Sequence, residues 1–386
     1  MFETMARIYF LKYNKLALTF VGLWPQDISL TCSKNRFYYI FSVGLQINFM
    51  IFILGVAGGM LFMEEEDDKK VGILYLLFYA VCFCKTMIVK SKKILDFIEE
   101  INHNDNQVMK LKDINLKNIY LSSSRDNFMA LFILQTISFL IHLVTIWTAA
   151  SRMIIWKHQS IEYAYNVTIS PFLHESWYPF DKYNYIKVIA FHQATNVVLA
   201  GCYNVACEAL FISLVIFATL RLKMLNYKFA HFGEYCKFND ERPEGILKDF
   251  VMEHEDIIRY VEDIGFMKWY FFGDFIGKSY HISLMIFYLG RTYENGIMDL
   301  DFIFAVLATM INIFQLSLLY YHANDIILEG ANISSSIYQS NWYAHTAGVK
   351  RGTLIVMVRS RKPLGIRLGI LDIIDINVLI KIIKAG

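Results

Sequence analysis

Residues 37–63 read FYYIFSVGLQINFMIFILGVAGGMLFM, with no Asp, Glu, Lys or Arg in 27 positions. A helix of that length is roughly 40 Å long at about 1.5 Å per residue, enough to cross a hydrocarbon core of about 30 Å. In lipid every backbone N–H and C=O must be paired within the chain, so such a run predicts a transmembrane helix. The same pattern recurs along the sequence. Residues 71–89 carry only Lys85, and residues 128–150 carry no charge, with His142 in their interior. Residues 186–220 contain Lys187, His192 and Glu208, residues 264–290 contain Lys268, Asp274 and Lys278, and residues 300–321 contain Asp301 at their edge. Six spans follow.

The whole composition agrees. Of 386 residues 56% are hydrophobic and only 19% charged, with a net charge of +2 and a mean hydropathy of +0.38. That balance excludes a soluble enzyme, a nucleic-acid binder and a disordered scaffold, and predicts an all-α polytopic membrane protein. Only five prolines and no linker-like tract or internal repeat occur, so residues 1–386 read as one domain. Arg7, Lys12 and Lys15 interrupt the N-terminal segment, which therefore does not read as a cleaved signal peptide.

Orientation follows from basic residues. Segments 1–36, 90–127, 221–263 and 322–363 hold 24 Lys and Arg, whereas 64–70, 151–185 and 291–299 hold six. The positive-inside rule predicts a cytoplasmic N-terminus. The sequon Asn166-Val167-Thr168 then lies outside, where Asn166 is a candidate glycosylation site, and the acidic run 64–68 lies in the first outside loop. The sequon at Asn332 falls on the cytoplasmic side.

The tail is unusual. Residues 348–363 read as an amphipathic cytoplasmic helix stopped by Pro363. Residues 373–386 read as the start of a further span, and 14 residues make only about 21 Å of helix. The expectation is a seventh helix entered and left incomplete.

Catalytic patterns are missing: there is no H-E-x-x-H, phosphate-binding glycine loop or Ser–His–Asp set, and no cofactor or metal is expected. The six cysteines read as packed or reduced thiols, and His142, His192 and His281 lie on three different spans without metal-ligand spacing. Asp274 and Lys278, at i and i+4, are expected to neutralise one another on one helix face. Gly55–Gly59 and Gly273–Gly277 fit the small-xxx-small pattern of helix contacts. Ile246, Phe250, Ile257, Val261 and Ile264 form one stripe that is expected to run unbroken into the fifth span and to pack below the membrane.

The outer halves of the spans are aromatic with sparse polar tips. Tyr75, Phe78 and Tyr79, His142 and Trp147, and Phe191, His192 and Asn196 are the candidate ligand-binding residues. A mostly apolar cavity with few polar groups suits a small, volatile, hydrophobic ligand.

A cytoplasmic N-terminus with seven spans is inverted relative to G-protein-coupled receptors, whose D-R-Y and N-P-x-x-Y signals are also missing. The chain instead resembles the insect odorant receptor family, in the run from Ile337-Tyr338-Gln339-Ser340-Asn341-Trp342-Tyr343 to Leu354-Ile355-Val356-Met357-Val358-Arg359-Ser360-Arg361-Lys362-Pro363-Leu364, and at Ile380-Lys381-Ile382-Ile383-Lys384-Ala385-Gly386. The resemblance implies the ligand-binding subunit of an odorant-gated non-selective cation channel. It would act with a shared co-receptor in a heterotetramer, in the dendritic plasma membrane of olfactory sensory neurons, in contact with lipid and not with nucleic acid. It also implies a ligand in the outer half of the first bundle and a pore lined by the second half of the seventh helix, beyond Gly386, so no gate residue is assigned. A gustatory receptor of the same superfamily and a truncated, non-conducting product are the alternatives, and a transporter would need inverted repeats that the sequence does not show.

Overall fold

A computed structural model describes residues 10–25, 33–62, 66–159, 170–238, 242–294, 300–370, 373–378 and 380. Their helices in chain order are α1 (Lys12–Phe20), α2 (Ser33–Met60), α3 (Glu66–Val89), α4 (Lys92–Lys110), α5 (Ile114–Gln159), α6 (Ile186–Ala230), α7 (Phe232–Phe238), α8 (Pro243–Ile264), α9 (Lys268–Glu294), α10 (Leu300–Gln339) and α11 (Ala347–Ser360). No strand occurs among the described residues beyond an isolated bridge between Arg367 and Ile373.

The expected spans 71–89, 128–150, 186–220 and 300–321 each fall within one helix. By contrast, 37–63 overruns the end of α2 at Met60, and 264–290 starts at the last residue of α8 and crosses a 3-10 turn before α9. Several helices also outrun the spans. At 46, 45 and 40 residues, α5, α6 and α10 are about 60–70 Å long, twice the thickness of a hydrocarbon core. Much of what reads as connection, at 90–127, 221–263 and 322–363, is therefore helix. In α4 the buried residues Ile94, Phe97, Ile98, Ile101, Asp105 and Val108 recur every three or four positions, the stripe of a half-solvated helix. Asp105 accepts the Phe10 N–H at 3.0 Å and the Tyr120 hydroxyl, tying the N-terminal segment to α5.

Helix α6 is the axis of the molecule. Every residue from Tyr203 to Leu220 is buried, and α1, α2, α3, α5, α8 and α10 all pack on it. The stripe Ile246, Phe250, Ile257, Val261 and Ile264 is buried, with α8 seated on α6 and α11. It does not run on unbroken into the fifth span: a 3-10 turn at Gly265–Met267 separates α8 from α9, since glycine is a poor helix former. Helix α11 begins at Thr346, whose hydroxyl accepts the Val349 N–H, and ends at Ser360, because the residue before Pro363 is pushed out of helical geometry.

The glycine pattern of α2 has another use than the helix contact its spacing suggests. A Cβ on Gly55 would lie 3.2 Å from the Trp177 carbonyl, and one on Gly59 only 2.5 Å from that of Glu175. The bare helix face admits the outer segment 170–181, and the Trp177 N–H donates to the Gly55 carbonyl at 2.8 Å. At Gly277 the nearest neighbour of such a Cβ is Val81 of α3 at 4.0 Å, and at Gly273 nothing is near. After α11 the chain turns at Gly369 (φ +58°), and residues 376–378 and 380 are helical. Of the seventh helix expected at 373–386, residues 373–375 are not helical, Ile373 instead bridging to Arg367. Residues 379 and 381–386 lie outside the described residues, as do Cys32, the sequon at Asn166 and the side chain of His281. Cys82, Cys84, Cys202, Cys207 and Cys236 are free thiols.

Candidate ligand-binding site

Helix α3 carries Tyr75, Phe78 and Tyr79 at i, i+3 and i+4, so all three project from one face. They border a cavity of about 170 Å³ closed by α5, α6, α10 and the outer segment. That is below the roughly 300–1,000 Å³ of drug-sized pockets and suits a small ligand. Helix α5 contributes Ile141, His142, Thr145 and Thr148. The two threonine hydroxyls donate to the Ile141 and Val144 carbonyls of their own helix at 3.0 Å, which leaves their methyl groups as the inner surface. His142 reaches across to α6, with Nε2 3.1 Å from the Val198 carbonyl oxygen. The ring fits there because position 201 is glycine: a Cβ at Gly201 would meet His142 Nε2 at 2.5 Å.

The segment 170–181, between α5 and α6, roofs the cavity. Gln193 of α6 accepts the Leu173 N–H at 2.9 Å through Oε1 and donates from Nε2 to the His174 carbonyl at 2.9 Å. Arg152 donates to the Phe172 carbonyl at 3.2 Å. His174 Nε2 lies 2.6 Å from the Tyr79 hydroxyl, and its ring lies 4.4 Å from that of Tyr75. Burial, reinforced by the Arg152 charge, holds the His174 imidazole down to about 3, so it is neutral at physiological pH.

At the inner end the lining turns polar, with Asn204 of α6 and Asn312 and Gln315 of α10. Directly below sits a buried group of four charges. Lys85 Nζ lies 2.5 Å from Glu208 Oε1 and 2.7 Å from Asp274 Oδ1, and Lys278 Nζ lies 2.8 Å from Glu208 Oε1 and 2.7 Å from Asp274 Oδ2. The i,i+4 pair expected on α9 is present, but as half of a neutral quartet that joins α3, α6 and α9. Tyr270 adds a hydroxyl donor to Glu208 Oε1 at 3.0 Å. A second cavity of about 370 Å³ between α3 and α9 is bordered by Asp274 and Lys278 and shares Phe78, Asn204 and Asn312 with the first.

Of the eight residues singled out in the sequence, Tyr75, Phe78, Tyr79 and His142 line the cavity. The other four do not. Trp147 and Phe191 are 64% and 74% exposed on the outward faces of α5 and α6. Asn196 faces α2, where it accepts from Asn48 Nδ2 at 2.8 Å, and the His192 ring lies 6.1 Å from that of Phe52. Sequence reasoning missed His174, Gln193, Asn204 and Gln315. Polar residues within apolar spans were the available signal for the last three, whereas His174 sits in a loop that no periodicity addresses.

Comparison with known proteins places this architecture. Residues 72–385 match the family model described as 7tm odorant receptor. Odorant receptor 10 of Aedes albopictus is 21% identical over 172 residues, 44% of either chain. Odorant receptor Or2 of Anopheles gambiae is 20% identical over 179 residues, 44% of this chain and 46% of that one. The matched stretches thus span under half the length of these relatives. The solved insect olfactory receptor OR5 from Machilis hrabei in complex with eugenol superposes with a TM-score of 0.79 at 18% identity, covering 97% of this chain and 94% of that one. Its structure without that description of a ligand gives 0.73 over the same shares. The long helices, the shared architecture and a family match running over most of the sequence lead to one assignment: the chain belongs to the 7tm odorant receptor family of insects.

Proposed function

We propose that this receptor is the odorant-binding subunit of an odorant-gated, non-selective cation channel, assembled with a shared co-receptor in a heterotetramer in the dendritic plasma membrane of olfactory sensory neurons. The observation that carries the reading is the cavity bordered by Tyr75, Phe78, Tyr79 and His142. It is small, chiefly apolar and roofed, as a volatile ligand of low polarity requires. That the related OR5 was solved with eugenol supports a ligand of this size class. Binding drives opening only by its differential affinity for the open arrangement. Helix α6 lines the cavity at Val197, Gly201, Asn204 and Val205 and continues to Ala230, where it meets α8, so it is the element suited to carry such a difference toward the cytoplasmic helices.

The N-terminus is assigned to the cytoplasm on the 24-to-six asymmetry of basic residues, and Asn166 to the outer face as a glycan acceptor. The test is heterologous expression with and without the co-receptor. Currents evoked by small ketones, esters or phenols only when both chains are present are expected. Responses from cells lacking this chain, or none from cells holding both at the surface, contradict the proposal.

A further inference from the structure

Gln315 lines the cavity, is only 1% exposed, and its Nε2 has no hydrogen-bond partner. That the nitrogen rather than the oxygen is left over has a cause two helices away. The Lys85 ammonium can only donate, and its three N–H groups meet three acceptors: Glu208 Oε1, Asp274 Oδ1, and Asn204 Oδ1 at 2.6 Å. Asn204 must therefore turn its carbonyl oxygen toward Lys85. Its Nδ2 then faces α10, where it donates to Gln315 Oε1 at 3.3 Å. With that oxygen engaged, Gln315 has only N–H to offer. The Thr145 and Thr148 hydroxyls bond their own helix, and the Tyr79 hydroxyl is engaged with His174.

We propose that the relay from Lys85 through Asn204 to Gln315 makes the inner end of the cavity a hydrogen-bond donor, so that the receptor selects odorants bearing an acceptor oxygen (ketones, aldehydes, esters) over hydrocarbons of the same shape. The inference rests on the cavity being the odorant site. A buried donor without a partner is destabilising in the empty receptor. A carbonyl removes that penalty on binding, and an alkene leaves it in place. The charged quartet, none of whose members lines this cavity, thereby sets the polarity of the odorant site.

The test uses the full chain in lipid nanodiscs and two isosteric probes, 2-octanone and 2-methyl-1-octene, with Kd read from the ligand-dependent shift in Tm. Wild type is expected to bind the ketone about tenfold more tightly, the range of one net hydrogen bond. Gln315→Met is expected to remove the preference by weakening the ketone alone. Asn204→Asp presents Gln315 with an acceptor, so the amide turns over, and preference is expected to pass from 2-octanone to 1-octanol. Equal wild-type affinity for the two isosteres overturns the donor assignment and leaves the cavity reading intact, as does a ketone preference that survives both substitutions. Failure of both isosteres to bind wild type, or binding that persists after Thr145→Phe fills the cavity, overturns the cavity reading and this inference with it.

Discussion

Lys85 is a single charge near one end of an otherwise uncharged segment, and nothing in α3 itself says what it meets. Helical spacing reports neighbours on the same helix, which is why the Asp274–Lys278 pair was legible while its union with Lys85 and Glu208 was not: those contacts cross between three helices. The quartet is the costliest group in the molecule to disturb, because removing one member leaves an uncompensated charge in an apolar setting. Lys85→Met is expected to lower stability by about 3–5 kcal/mol. The double variant Lys85→Met/Glu208→Gln removes one charge of each sign and should recover most of that loss, a pattern readable in Tm and surface abundance. Equal loss in single and double variants would contradict this account. Tyr75, Phe78 and Tyr79 were legible as one cavity wall because aromatic side chains at i, i+3 and i+4 must share a face. Trp147 and Phe191 have the same character, and only packing turns them to the outside.

The most apolar stretches of α2, α5 and α6 are alike in composition, yet 22%, 28% and 94% of their residues are buried. Lipid chains are as apolar as a protein core, so composition locates a membrane helix without saying which one is central. Long apolar runs were therefore legible, whereas helix ends were not, because α5, α6 and α10 continue past those runs into segments that lack the uncharged signature. Glycine spacing misled in a related way: in α2 it admits the outer segment rather than a helix. Gly59→Val would place atoms against the Glu175 carbonyl and the Ser176 Cα, 2.5 and 2.7 Å from the new Cβ, and must displace the roof of the cavity. An overpacking cost of about 1–3 kcal/mol and an EC50 raised about tenfold are expected in concentration–response curves.

The roof also has a pH signature. Since the folded-state value of His174 is depressed from 6.5 to about 3, only the unfolded chain takes up the proton in that interval. Its contribution to stability is fully present above pH 6.5 and is lost as pH falls toward 3. Asp105 in α4 runs the other way: burial pushes its carboxyl from 3.8 up to about 6, against the Phe10 N–H that holds it down, so its contribution is lost as pH rises through that interval. His174→Gln is expected to flatten the acid limb of a Tm–pH profile below 6.5, and an unchanged limb would show that the roof does not hold this imidazole neutral.

For the whole molecule, the membrane class was legible because uncharged length is a one-dimensional property. The cavity was not, since its walls come from α3, α5, α6, α10 and a loop separated by up to 240 residues from Tyr75 to Gln315. Orientation remains the most direct reading of charge: Asn166→Gln is expected to abolish a glycosidase-sensitive mobility shift, and a shift that survives the substitution would contradict the assigned outer face. The central claim is that this cavity is where odorant acts. It is tested most directly by recording odorant-evoked currents from wild type, Thr145→Phe and Ile311→Phe co-expressed with the co-receptor, at matched surface expression. Added bulk from two different walls of a space of about 170 Å³ should each raise the EC50 by more than about tenfold, as a lost contact of over about 1.4 kcal/mol requires. Unchanged concentration–response curves in both variants would place the odorant elsewhere.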